Sequence, residues 1–148
     1  MKCTFFGHSD TPINVESTLK TALIGLIENH GVNTFYVGHQ GNFDFLVQKT
    51  LKTLKYNYPH INYYMVLAYL PTQKHIGDNI VQHNTLFPDG LEKVPPKYAI
   101  DRRNRWMVDN SDYIVTYVRH NTGGAAKFKE LAEKRGKTVI NLAEINDR

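Results

Sequence analysis

The sequence predicts an open α/β domain, with a mostly parallel sheet and helices on both faces. Three observations carry that expectation. Short apolar runs rich in β-branched and aromatic residues alternate with longer segments of helical period. The strand runs are apolar throughout rather than alternating, as in strands covered on both faces. Three of the strand runs also end in loops that hold histidine, with glycine beside it or a few residues on. A length of 148 residues suits one domain, 1–148, around one core.

Each element follows from its local pattern. Residues 2–6 form the first strand and end in Gly7-His8-Ser9-Asp10-Thr11-Pro12, a turn-rich loop. Residues 16–29 place Leu19, Ala22, Leu23, Leu26 and Ile27 at helical spacing, with Asn14 as N-cap and Gly31 as the stop. Residues 34–37 are a buried strand ending in Gly38-His39-Gln40-Gly41-Asn42. The next helix carries Phe43, Leu46, Val47, Leu51 and Leu54 on one face and stops at Tyr58-Pro59. Residues 62–70 are the most apolar run, rich in Tyr and Val, and read as a central strand. Residues 71–96 are the least regular, with room for a short helix around 78–84. Helical spacing returns over 97–110 through Tyr98, Ile100, Trp106 and Met107. A strand at 112–118, a helix at 125–134 and a strand at 138–142 complete the pattern.

Composition narrows the setting. A 41% hydrophobic and 22% charged chain is ordinary for a globular protein. No apolar stretch reaches the length of a membrane span, so no membrane partner is expected. The N-terminal stretch is apolar only briefly and does not read as a secretory signal. The single cysteine, Cys3, has no internal partner, and a reducing, cytoplasmic setting is expected. A net charge of +4 permits anionic partners without selecting one. Lys49, Lys52 and Lys55, and the lysines from Lys127 to Lys137, read as solvated helix faces. The tyrosines around Tyr56 and Tyr64 serve either a homodimer interface or the core.

The chemistry gathers at the strand ends. Ligands of open α/β sheets sit outside the carboxyl ends of the strands. Glycine there admits a ligand to the backbone, and the helix that follows offers free N–H groups to phosphate. Gly7 and His8, Gly38, His39 and Gly41, and His120 with Gly123 and Gly124 are the candidates for a shared binding crevice. His8, His39 and His120 lie on three separate loops without metal-ligand spacing, so no metal is expected; their reading is hydrogen bonding to sugar, base or phosphate. His30, His60, His75 and His83 read as surface residues. Asp44 either caps its helix or accepts hydrogen bonds from ribose hydroxyls. Arg102, Arg103 and Arg105 cluster beside Trp106 and Met107, and their guanidinium groups suit phosphate. Successive helical residues point apart, so one or two of the three can face a common site.

Four segments together resemble the SLOG superfamily, the Rossmann-like group of DprA/Smf proteins and Lonely Guy nucleotide hydrolases, and within it the short YpsA-like members. They are Phe5-Phe6-Gly7-His8, Gly38-x-x-Gly41-x-x-Asp44, Arg103-Asn104-x-x-Met107-x-x-x-Ser111-Asp112 and Thr122-Gly123-Gly124-Ala125-Ala126. The resemblance implies a Rossmann-like fold and a nucleotide-type ligand near Arg103, Asn104 and the two glycines. The Lonely Guy branch cleaves the N-glycosidic bond of nucleoside monophosphates with Arg-x-x-x-Met and Pro-Gly-Gly-x-Gly-Thr-x-x-Glu. Here Arg103-x-x-x-Met107 matches the first, while Thr122, Ala126 and Lys127 replace the second motif's proline, third glycine and threonine. Glu130 falls at the position of its glutamate.

The expectation is a binder of a nucleotide or nucleotide-derived, phosphate-bearing small molecule, of the kind a sensor or regulator uses, needing no further cofactor. One alternative is an N-glycosidic hydrolase of nucleoside 5′-monophosphates, with Arg103 and Glu130 as catalytic residues. The other is a nucleic-acid-binding protein. Nucleic acid is not the expected partner, because the basic residues are dispersed along the chain and no stacking platform interleaves with them.

Overall fold

A computed structural model describes residues 1–70 and 84–146. Six strands form one wholly parallel sheet in the order β4-β3-β2-β1-β5-β6. They are β1 (Lys2–Gly7), β2 (Thr34–Val37), β3 (Asn62–Val66), β4 (Thr85–Leu86), β5 (Tyr113–Tyr117) and β6 (Thr138–Asn141). The helices are α1 (Glu16–His30), α2 (Asn42–Asn57), α3 (Pro96–Asp109), α4 (Gly124–Lys134) and α5 (Leu142–Asn146). Single 3-10 turns at Ile13–Val15 and Leu91–Lys93 lead toward α1 and α3. The chain winds outward from β1 to β4, then returns to lay β5 and β6 on the other side of β1. The sheet therefore reverses direction between β1 and β5, which is where open α/β sheets bind their ligands.

Neighbouring residues of one strand serve opposite faces, because strand side chains alternate. Phe5 packs with α1, α2 and α5 through Leu19, Leu23, Val47, Leu51 and Leu142. Phe6 packs with α3 and α4 through Met107, Val108, Phe128 and Ala132. The runs on β1 and β5 are thus apolar at successive positions because both faces are covered. α1 stops where Gly31 turns left-handed, at φ 67°, and its N–H returns to the Leu26 carbonyl. α3 opens with Pro96 in its first turn, where a missing N–H costs nothing.

Four expectations are corrected. β3 is not central: it is second from the edge and ends at Val66, and apolar composition alone carries no strand order. β4 is an edge strand of two residues, too short to leave a period in the sequence. Asn14 lies inside the 3-10 turn rather than at the N-cap, a place held by Val15 without a side-chain bond. The last strand ends at Asn141, and the apolar residues after it begin α5. The short helix expected around 78–84 falls outside the described residues except for Asn84, which precedes β4; His75 and His83 lie outside them too. Of the tyrosine group, Tyr56 is exposed while Tyr58, Tyr63 and Tyr64 are half-buried against the two cores. Cys3 is buried in β1, and that burial pushes its thiol pKa up. Among the described residues no helix is long and apolar enough to cross a membrane.

Candidate nucleotide-binding edge

The loops after β1 and β2, the face of α3 and the start of α4 enclose a cavity of about 210 Å3. Gly7, Gly38, Gly41, Asp44, Arg103, Asn104 and Gly124 all line it. His8, His39, His120, Gly123 and Glu130 do not. Two lining residues escaped the sequence reading, Ser9 and Gln40, although both stand inside glycine-bearing loops that drew notice.

The glycines in the first two loops fit the loops to each other. A Cβ on Gly7 would run into the Phe43 ring, so the bare backbone lets α2 seat its first apolar residue on β1. A Cβ on Gly41 would meet the Ser9 Cα at 2.9 Å, and there the Asn42 N–H donates to the Ser9 carbonyl at 3.0 Å. A Cβ on Gly38 would press on the Asp44 carboxylate at 2.9 Å. Gly123 differs. It adopts φ 95° just before α4, and neither it nor Gly124 has any heavy atom within 4 Å of where a Cβ would stand. That backbone is open to an approaching group.

Arg103 is only 2% exposed. Its Nη1 donates to the Val66 carbonyl at 3.1 Å, its Nη2 to Gln40 Oε1 at 3.2 Å and its Nε to Asn104 Oδ1 at 2.9 Å. All three acceptors are neutral. Among the described residues no carboxylate forms an ion pair with it; Asp44 acts on it from farther off. Burial pushes the guanidinium pKa down and the Asp44 carboxylate pushes it back up, but a guanidinium stays cationic throughout. The side chain thus carries a fixed charge, aimed by three neutral acceptors.

Asp44 stands in the first turn of α2 and accepts from the Gln40 N–H at 2.9 Å. Burial raises its pKa, while the Gln40 N–H and Arg103 oppose the rise. Gln40 therefore links the two charged groups, through its N–H to one and its side chain to the other. His39, beside it, has its pKa lowered by partial desolvation and by the Arg103 charge.

A second cluster sits at the direction change of the sheet. His8 and His120, from the loops after β1 and β5, stack with ring centroids 4.0 Å apart and an interplanar angle of 10°. The Arg119 N–H donates to His8 Nε2 at 2.9 Å, which places the His8 proton on Nδ1. The His120 Nδ1 lies 3.3 Å from the Thr122 hydroxyl. Desolvation lowers the His8 pKa, His120 adds to the effect, and Asp10 opposes it. Asn141 pins the end of β5: its Oδ1 accepts from the Val118 N–H at 3.0 Å and its Nδ2 donates to the Val118 carbonyl at 2.9 Å.

Glu130 lies on the solvent side of α4, paired with Lys134 at 3.2 Å and well exposed. Lys127, at the position of the lost threonine, pairs with Asp101 on α3. Of the other clustered arginines, Arg102 is exposed and Arg105 pairs with Asp101 at 2.7 Å. Among the described residues no three His, Cys, Asp or Glu side chains gather as a metal site.

No family model matches the chain, and no curated protein matches it. Among solved structures, the fold is similar to that of DNA processing protein A from Helicobacter pylori, described for its single-stranded DNA binding mode. The likeness has a TM-score of 0.63 at 18% identity and covers 94% of this chain. This chain spans 63% of that one's length. At such identity the shared property is the Rossmann-like fold. The comparison nevertheless corrects the expectation that nucleic acid is not the partner, since a single-stranded DNA binder is built on this fold. That expectation rested on basic residues being dispersed and on the lack of a stacking platform. Distance along the chain is not distance in space, as the two stacked histidines from opposite ends of the sequence demonstrate.

Proposed function

We propose that this chain binds single-stranded nucleic acid across the carboxyl edge of its sheet, with a backbone phosphate drawn to Arg103. The observation that carries this reading is a buried guanidinium whose hydrogen-bond partners among the described residues are all neutral, with the Asp44 carboxylate beyond ion-pair distance. Burying an ion with no counter-ion in contact costs several kcal/mol, which an anionic ligand reaching it offsets. Among the described residues, three of the five guanidinium N–H groups are accounted for by the bonds to Val66, Gln40 and Asn104, which leaves two for an oxyanion. The start of α4, with the open Gly123-Gly124 backbone, adds a favourable helix dipole nearby. The cavity also matters for its size. At about 210 Å3 it is below the roughly 300–1,000 Å3 of small-molecule sites, so it takes a phosphate or sugar and leaves the rest of the ligand outside. A strand crossing an edge is held that way. The fold shared with a single-stranded DNA-binding protein supports the same reading, as do the SLOG-like segments, including the short YpsA-like pattern.

A free nucleotide is the second reading, favoured by Asp44, whose carboxylate beside the cavity is an acceptor for ribose hydroxyls. Glycosidic cleavage gains no support, because Glu130 stands outside the cavity that Arg103 lines.

Fluorescence anisotropy with labelled oligothymidylate, a duplex of equal length and nucleoside monophosphates separates the readings. The single strand is expected to bind best, with log affinity falling linearly against log salt by about 0.7 per phosphate neutralised. Saturable binding of monophosphates without binding of the oligonucleotide would reject the strand in favour of the free nucleotide.

A further inference from the structure

Resting on the strand-binding reading, we propose that the stacked His8–His120 pair is a platform on which one nucleobase of the strand lies, against the ring face of His120 turned away from His8. The pair is built for flatness rather than for the core. His8 is half-buried and His120 is exposed. Both orientations are set by hydrogen bonds, to the Arg119 N–H in one case and the Thr122 hydroxyl in the other. His8 covers one face of His120 at 4.0 Å and nearly parallel, so the opposite face is the surface on offer. A base added there extends an ordered stack without first ordering a side chain, which lowers the entropic cost of binding.

Position gives the second argument. The pair stands over the β1–β5 direction change of the sheet. His8 lies between Gly7 and Ser9, both of which line the Arg103 cavity, and His120 opens the loop that leads to Gly124 on the same cavity. His120 also lines a separate cavity of about 260 Å3, together with Asn121, Lys129, Asn141 and Glu144 among others. A strand with a phosphate at Arg103 therefore has a ring surface at the next loop and space beside it. Stacking accepts any base, which suits a partner bound without sequence preference.

The test compares oligothymidylate with an abasic strand of equal length, using the wild-type chain, His120→Ala and His120→Phe. His120→Ala is expected to weaken oligothymidylate binding roughly five- to 150-fold, the contribution of one stacked base. The abasic strand should bind all variants alike. His120→Phe keeps a flat ring without its nitrogens and should stay within about threefold of wild type for both strands. Wild-type binding of oligothymidylate that His120→Ala leaves unchanged overturns the platform while the strand reading stands. An equal loss on the abasic strand, or a His120→Phe chain as weak as His120→Ala, overturns it as well, because the contact is then polar. A wild-type chain that binds no single strand removes both proposals.

Discussion

Arg103 and Arg105 stand two residues apart on α3, each with an aspartate in its field, and the two pairs behave oppositely. Arg105 meets Asp101 directly at 2.7 Å, with both side chains more than a third exposed. Hydrogen bonds from Lys127 and then from Arg105 hold the Asp101 pKa below its ordinary value. Arg103 is buried, keeps Asp44 outside ion-pair distance and takes neutral acceptors instead, and burial raises the Asp44 pKa. A surface pair in water satisfies itself. A desolvated pair held apart leaves charge unspent, and that is the form in which a protein stores affinity for a ligand. Helical geometry alone separates the cases: two residues along, the side chain points about 200° around the axis.

The sharpest way to break the contrast is to remove each cation. Arg103→Ala should weaken single-strand binding by roughly 1.5–3 kcal/mol, the range for hydrogen bonds to a charged group, while circular dichroism reports an intact fold. Calorimetry showing unchanged affinity would reject the role given to Arg103.

Acid titration is expected to give the intermediate effect. Asp44 has a raised folded pKa, so its contribution to stability is fully present below its ordinary 3.8 and is lost as pH rises through the folded value. Asp101 has a lowered one, so its contribution is present above 3.8 and is lost as pH falls through the folded value. Carbon-13 NMR of the side-chain carboxyls should thus show Asp44 titrating above 3.8 and Asp101 below it. Asp44→Asn should raise the melting temperature at neutral pH, whereas Asp101→Asn should lower it slightly. Both carboxyls titrating on the same side of 3.8 would collapse the contrast.

The smallest effect belongs to Arg105→Ala. An exposed pair of this kind is worth roughly 0.2–1 kcal/mol, less in salt, and binding should stay within about twofold of wild type. A large loss of affinity would mean that the surface arginines, and not the buried one, meet the phosphates.

Much of the fold was legible because the inner strands are covered on both faces and the long helices on one. Apolar runs such as Ile114-Val115 and spacings such as Leu19-Leu23-Leu26 follow from that. What was not legible depended on tertiary order. Nothing in the apolar run of β3 tells that β2 and β1 lie inside it, and two residues of β4 leave no period. At the site, Gly7, Gly38, Gly41 and Gly124 do come together around one cavity. The sequence did not tell that Gly7 serves Phe43 and Gly41 serves Ser9, since a glycine kept for packing and one kept for a ligand look alike in sequence. Gln40 went unremarked because its importance lies in bridging Arg103 and Asp44, a relation between residues distant in the chain. Glu130 was suggested by motif spacing, whereas the turn of α4 sends it outward to Lys134.

The placement of β1 between β2 and β5 has a consequence for biosynthesis. β1 is synthesised ahead of β2 and pairs with it almost at once, but its other edge waits for β5; the Lys2 N–H reaches Asp112 across 110 positions of sequence. Until then an apolar strand edge stays open, a state that invites pairing with other nascent chains. Translation speed between β1 and β5 thus sets how long that edge is exposed, and the two loops that carry His8 and His120 meet only when that wait is over.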